Sequence, residues 1–310
     1  MKLILSLKGF DASCRGKPSP LFPDGTLYSL PIPEQQRGQQ PTRYSDIAWG
    51  AQPLGKLVED LTNQAVHGND RAHLDPDLRA DSRPRPPHWR PAFGQAGAAE
   101  GHLRNQGVTT GDIFLFYGWF RAVEQRGDRF QYVRGAPDLH LLFGWLQVDT
   151  HLQVEASTPL PAWLREHPHN CNRTLYPQNT LYISRRQLDL DPRLAHLPGA
   201  GVFPRRVPML QLTAPTANSR SQWELPRWFY PADRASTLTY HRQPSRWQLG
   251  DRSVWLKNVG QGQEFVLNCD HYPEAVNWLI ELFEQAAPSP PGLGRGSTVL
   301  GAQKPPESNQ

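Results

Sequence analysis

Ile113-Phe-Leu-Phe-Tyr-Gly-Trp-Phe120 and Leu139-His-Leu-Leu-Phe-Gly-Trp-Leu-Gln-Val148 are the two strongest strand signals of the chain, and a Gly-Trp pair interrupts each of them. Aromatic and branched side chains in such runs, bounded by turn formers, suit a buried strand. Residues 124–135 between them supply charge and glycine, so the two runs are expected to be antiparallel neighbours. Met1 to Leu7 reads as a further buried strand, followed by a Gly-, Ser- and Pro-rich loop to about Gly25 and a short strand over Thr26–Ile32. Leu54, Leu57, Val58 and Leu61 fall at i, i+3, i+4 and i+7, which predicts a helix over 53–65. A second helix is expected over 95–105, stopping at Gly107, and a last one from Pro273, with Val276, Leu279, Ile280 and Phe283 on one face. Asn179–Ser184 and Val207–Thr213 read as strands, and Ser253–Val259 with Glu264–Leu267 as a hairpin. The expected fold is α+β: a mixed, mainly antiparallel sheet curling toward a barrel, with flanking helices and long Pro-rich loops. Residues 1–287 are expected to form one large domain and 288–310, dominated by Pro, Gly, Ser and Gln, a disordered tail.

The composition fits this outline. Of 310 residues 38% are hydrophobic, enough for a substantial core, and 31 prolines argue for stiffened, ordered loops. The net charge is only +4, with a pI near 9.0, so charge alone does not select a nucleic-acid partner. Ten tryptophans are more informative, because flat side chains in such number commonly line pockets where rings stack. Cys14, Cys171 and Cys269 are far apart and form no CxxC pair, which argues against a zinc or dithiol motif and for a reducing compartment. No stretch approaches the roughly 18 apolar residues of a membrane span. A cytoplasmic protein without a membrane partner is expected.

Several segments carry candidate chemistry. His73-Leu-Asp75-Pro-Asp77-Leu-Arg79 is the densest polar cluster. His73, Asp75 and Asp77 could present a metal ligand set or a general acid/base pair, with Arg79 holding an anion; a capped, salt-bridged turn is the plainer alternative. Glu166-His167-Pro-His169 offers a His-x-His pair of the kind that binds metals, with Pro168 favouring a loop. If the two segments meet in space, they make a composite site. Lys8 to Pro20, after the first strand, brings Lys8, Asp11, Arg15 and Lys17 to a place where ligand-binding loops occur, although without the spacing of a Walker loop. Gln95 and His102 could face a ligand from the second helix. Trp119 and Trp145, each just after a glycine, are candidates for stacking on a base, or else core tryptophans.

Gly111-Asp112 before an apolar strand, with Phe143-Gly-Trp-Leu-Gln-Val148 returning, resembles the core hairpin of the PUA-like superfamily, whose EVE and ASCH members bind a nucleobase in an aromatic-walled pocket. A wider resemblance rests on Lys8-Gly-Phe-Asp11, Pro18-Ser-Pro20, Pro23-Asp-Gly25, Ser29-Leu-Pro-Ile-Pro33, His73 to Arg79, Phe93-Gly-Gln-Ala-Gly-Ala-Ala99, Gly111-Asp112, Phe116-Tyr-Gly-Trp-Phe-Arg121 and His167-Pro-His169. In combination these resemble the nucleotide modification associated domain 3 family, over most of residues 1 to about 285. That resemblance implies a role near modified nucleotides in DNA base hypermodification, and partners that are nucleic acid, a nucleotide or a DNA-modification enzyme. It implies no particular reaction or cofactor. The leading expectation is recognition or processing of a modified nucleobase, with Trp119 and Trp145 stacking, Asp112 and Gln95 at the base edge, and Lys8, Asp11, Arg79 and Arg121 near the rest of the nucleotide. The alternative is an enzyme of nucleotide or base modification that uses His73, Asp75 and Asp77 with His167 and His169 as metal ligands. A third reading is an interaction subunit that docks a modification enzyme.

Overall fold

In the computed structural model, which describes residues 1–10, 17–34, 40–260 and 264–288, the two apolar runs are the longest strands and pair antiparallel, Ile113 opposite Gln147 and Phe120 opposite Leu139. They lie in the middle of a nine-stranded sheet. Its main strands are β1 (Lys2–Leu7), β2 (Ala92–Gln95), β3 (Ile113–Arg126), β4 (Leu139–Gln153), β5 (Thr180–Ser184) and β6 (Glu264–Asn268). The spatial order is β6-β1-β3-β4-β5-β2, with β1 and β3 parallel and the other neighbours antiparallel, so the sheet is mixed and the fold α+β. The glycine of the second Gly-Trp pair is required by packing: a Cβ on Gly144 would lie 2.8 Å from the Gly201 carbonyl oxygen and 2.7 Å from Leu78 Cδ1. A side chain there would push off the short Ala200–Val202 strand that pairs with β4.

The sheet is not a closed barrel. Its edge strands β2 and β6 meet through a side-chain hydrogen bond from Gln95 Nε2 to Glu264, not through a backbone ladder. Helix α1 (Leu54–Thr62) buries the expected stripe of Leu54, Leu57, Val58 and Leu61 over a second core that includes Phe10, Tyr28, Leu30 and Tyr44. Helix α2 (Gly97–Asn105) follows β2, short helix α3 (Pro168–Cys171) precedes β5, and α4 (Glu274–Ala286) covers the main core with Leu279, Ile280 and Phe283. Among the described residues no helix is long and apolar enough to cross a membrane.

Three expectations need correction. Thr26–Ile32 is not a continuous strand: Thr26 and Leu27 make isolated bridges, and only Ile32–Pro33 pairs, with Ala72–His73. Val207–Thr213 contains a 3-10 turn at Pro208–Leu210, because proline fixes φ and removes a donor that a strand ladder needs. Ser253–Lys257 and Glu264–Asn268 are not a hairpin. The first alternates buried and exposed side chains, as in a sheet with one wet face, and is the middle strand between Gln222–Pro226 and Trp247–Leu249. The second is buried almost throughout and joins β1 in the main sheet. The expected tail from residue 289 onward, Asp11 and Cys14 lie outside the described residues.

Candidate functional site

The His73–Arg79 segment leaves its two-residue pairing with Ile32–Pro33 and runs along the edge strand β2. Asp77 and Ala92 exchange both backbone hydrogen bonds, N–H to O distances 3.0 and 3.2 Å, and Gly94 N–H donates to Asp75 Oδ1 at 2.8 Å. Helix α3 closes the site from the other side. Pro168, expected to favour a loop, occupies the first helical position, where a missing N–H costs nothing, and His167 caps the helix by accepting the His169 N–H at Nδ1, 3.3 Å. His169 is thereby set over Gly94, where an added Cβ would lie 2.2 Å from the imidazole ring. Only glycine leaves room for this approach, so the two distant segments meet in space.

One ligand-type atom from each of His73, Asp75 and His169 lies within 4.8 Å of the others. Hydrogen bonds fix how the imidazoles face this point. Asn179 Nδ2 donates to the His169 carbonyl at 2.7 Å, which turns its Oδ1 to His169 Nδ1 at 2.6 Å. An amide oxygen only accepts, so His169 Nδ1 carries the proton and Nε2 is a lone pair, 3.6 Å from Asp75 Oδ2. His73 Nδ1 faces Glu34 Oε2 at 3.0 Å, which by the same logic leaves its Nε2 without a proton in the neutral ring. His167 is opposite: Nδ1 accepts, so Nε2 carries the proton, buried, without a hydrogen bond of good geometry, and 3.5 Å from Asp75 Oδ1. A carboxylate oxygen and an imidazole lone pair face each other stably only with a proton or a cation between them. Burial pushes the Asp75 carboxyl up to about 6, against the pull of His73, the Gly94 N–H and Lys8. Burial also pushes His167 down to about 3 and His169 well below its ordinary value, in both cases helped by His73.

The family model for nucleotide modification associated domain 3 matches residues 2–268. The chain belongs to this family. No curated protein and no solved structure matches it. The family description ties the chain to nucleotide modification, and the matched span contains every residue of the cluster.

Within this nucleotide modification associated domain the remaining candidates fall into two groups. Lys8 and Gln95 lie beside the cluster. Lys8 Nζ sits 2.8 Å from Glu264 Oε1 and 4.8 Å from the centre of the Phe93 ring, and its charge acts on both Asp75 and His169. Gln95, the next residue in β2 after Gly94, bonds the same Glu264, whose Oε2 is buried without a partner. The others are elsewhere or otherwise engaged. Asp77 is held by both Arg85 guanidinium nitrogens at 2.6 and 2.7 Å. The Arg79 guanidinium lies 4.9 Å over Tyr28, and Arg121 pairs with Asp138 at 2.7 Å. Asp112 closes its turn by accepting from the backbone of Lys2 and Thr109. Trp145 is fully buried against Phe203 and Phe283 and donates to the Pro198 carbonyl. Trp119 is 8% exposed, with Arg220 4.2 Å over its ring. His102 faces Thr239 at 3.1 Å and is tilted against Tyr240.

Sequence reasoning missed Glu34, Gly94, Asn179 and Glu264. Three are single polar residues at the ends of strands, and their role arises only from what they face. Gly94 lies within a quoted motif, but its purpose depends on a helix more than seventy residues later.

Proposed function

We propose that this domain processes a nucleotide or nucleobase within a nucleotide-modification system, and that His73, Asp75 and His169 are the groups that do the chemistry. The observation carrying this reading is the Asp75 Oδ2 to His169 Nε2 contact of 3.6 Å between two acceptors, in a setting where both side chains are almost wholly buried. Structural turns do not normally bury unsatisfied acceptors against each other, whereas reacting centres do. Burial, which pushes the Asp75 carboxyl up to about 6, makes a bare carboxylate costly here, so the group takes a positive partner, a proton or a cation, close to neutrality. Lys8, beside the cluster, is suited to balance the charge of a phosphate or of a developing oxyanion. Recognition by stacking on Trp119 and Trp145 has less support, since Trp145 has no exposed face and Arg220 covers a face of Trp119.

Incubation of the purified chain with nucleosides, nucleotides and duplex DNA, each unmodified or bearing a hydroxymethylated pyrimidine, followed by mass spectrometry, tests the proposal. A product of altered mass that disappears in Asp75→Asn supports processing. Binding without any mass change, equal in wild type and Asp75→Asn, would instead place the protein among recognition modules.

A further inference from the structure

We propose that His73 Nε2, an oxygen of Asp75 and His169 Nε2 ligate one divalent first-row transition cation, zinc or ferrous iron, with Glu34 and Asn179 as the outer partners that aim the two imidazoles. This rests on the reading of the cluster as the reacting centre and names its cofactor.

The donor set suits such a cation. Two neutral imidazoles and one carboxylate suit first-row transition cations, whereas magnesium and calcium take oxygen ligands. The spacing suits it too. Ligand atoms about 2.0–2.1 Å from a tetrahedral ion stand about 3.3 Å apart. The His169 Nε2 to Asp75 Oδ2 separation of 3.6 Å is already close to that, and all three ligand atoms fall within 4.8 Å. The outer partners match those of metal-bound histidines. Metal-bound histidines commonly give their other N–H to a carboxylate or carbonyl oxygen. Here His73 faces Glu34 Oε2 at 3.0 Å and His169 faces Asn179 Oδ1 at 2.6 Å, so in each ring Nδ1 is taken by the outer partner and Nε2 is left for an ion, that of His169 already facing Asp75. Asn172 Nδ2 in turn holds Glu34 Oε2 at 3.2 Å.

His167 is excluded from the ligand set by the same reasoning. Its Nδ1 is used in capping α3, and its Nε2 bears the proton that faces Asp75 Oδ1, so it steadies the carboxylate. The expected His167–His169 ligand pair is thus replaced by a set drawn from two segments. Three protein ligands leave at least one coordination position for water or substrate, as in catalytic sites and unlike closed structural ones.

The test uses the full chain, stripped with chelator and titrated anaerobically with Zn²⁺, Fe²⁺ or Mg²⁺, the bound ion being counted by elemental analysis after gel filtration. One equivalent of zinc or iron and no magnesium is expected. His169→Ala should abolish binding with the fold intact by circular dichroism. Glu34→Gln, which keeps the size of the side chain, should weaken binding 10- to 100-fold without changing the stoichiometry. His167→Gln should retain the equivalent. A folded chain that takes up no cation, or uptake indifferent to both His169→Ala and Glu34→Gln, would overturn the site. Nucleotide conversion by chelator-treated protein that binds no ion would overturn the metal and leave the reacting centre standing. One bound equivalent with no conversion of any nucleotide would do the reverse.

Discussion

Asp75 and Asp77 lie two residues apart on one turn, both nearly buried, yet the two halves of that turn are built for different ends. Asp77 is saturated: Arg85 grips both oxygens, Arg83 Nη2 is 3.9 Å away, and Arg85 is itself held by Ser82 Oγ and the Arg79 carbonyl, with its guanidinium 4.0 Å over Trp89. Asp75 receives one backbone N–H of good geometry and otherwise faces histidines, one of them through a lone pair. The arginine side is a complete ion pair whose worth is structural. The histidine side holds ionisable groups short of partners, which is costly unless a proton or cation is bound. Residue type and spacing are nearly the same in both halves, so the chemistry resides in what faces each carboxylate.

The largest expected effect comes from breaking the arginine half. Arg85→Ala strands Asp77 without its main partner and should cost about 3–5 kcal/mol in urea unfolding, typical of a buried pair losing one member. The protein that remains folded should keep its chemistry; lost turnover at unchanged stability would erase the distinction between the halves.

A smaller effect concerns a buried histidine with no carboxylate against it. His140 accepts from Trp223 Nε1 at 3.0 Å, and burial, aided by Arg220, pushes it down to about 3. Between that value and about 6.5 the unfolded chain binds a proton that the folded chain refuses, so stability is full above this window and is lost as pH falls through it. The expected loss from this residue is about 2 kcal/mol between pH 7 and pH 5. His140→Asn should flatten that limb of the stability profile, and an unchanged slope would show that His140 does not set it.

Asp75→Asn should change stability by no more than about 1 kcal/mol, because the amide oxygen still accepts from Gly94 while the costly buried charge is gone. A loss as large as that of Arg85→Ala would make Asp75 a structural residue like Asp77. Smallest of all, Arg220→Ala should cost about 0.5–1 kcal/mol through its contact with the Trp119 ring. If it opens a nucleoside site detectable by fluorescence quenching, Trp119 regains the stacking role expected from the sequence.

Much of the fold was readable because burial writes itself into composition. β1, β3 and β4 are near-continuous apolar runs, and α1 carries its stripe at helical spacing. The Ser253–Leu267 region misled because two adjacent apolar strands usually pair with each other, whereas here a one-faced and a two-faced strand belong to different sheets. In the site, the polar density of 73–79 and the His-x-His of 167–169 could be seen, and so could the chance that they meet. Which aspartate the arginines would seal could not, since Arg79, Arg83 and Arg85 all follow within ten residues of both, and the one nearest in sequence, Arg79, is not the one that grips Asp77. Glu34 and Asn179 carry no pattern at all. Trp145 suits either stacking or a core from its sequence alone, and its fully enclosed position follows from lying in the central strand β4.

Whether the cluster is a reacting centre depends on where its protons sit, and long-range ¹H–¹⁵N correlation spectra of the imidazoles in metal-free protein at neutral pH report that directly. His169 should be protonated at Nδ1 and His167 at Nε2, leaving the His169 lone pair turned to Asp75. A proton on His169 Nε2, donated to Asp75, would make the cluster an ordinary hydrogen-bonded pair and contradict the reading of it as a reacting centre.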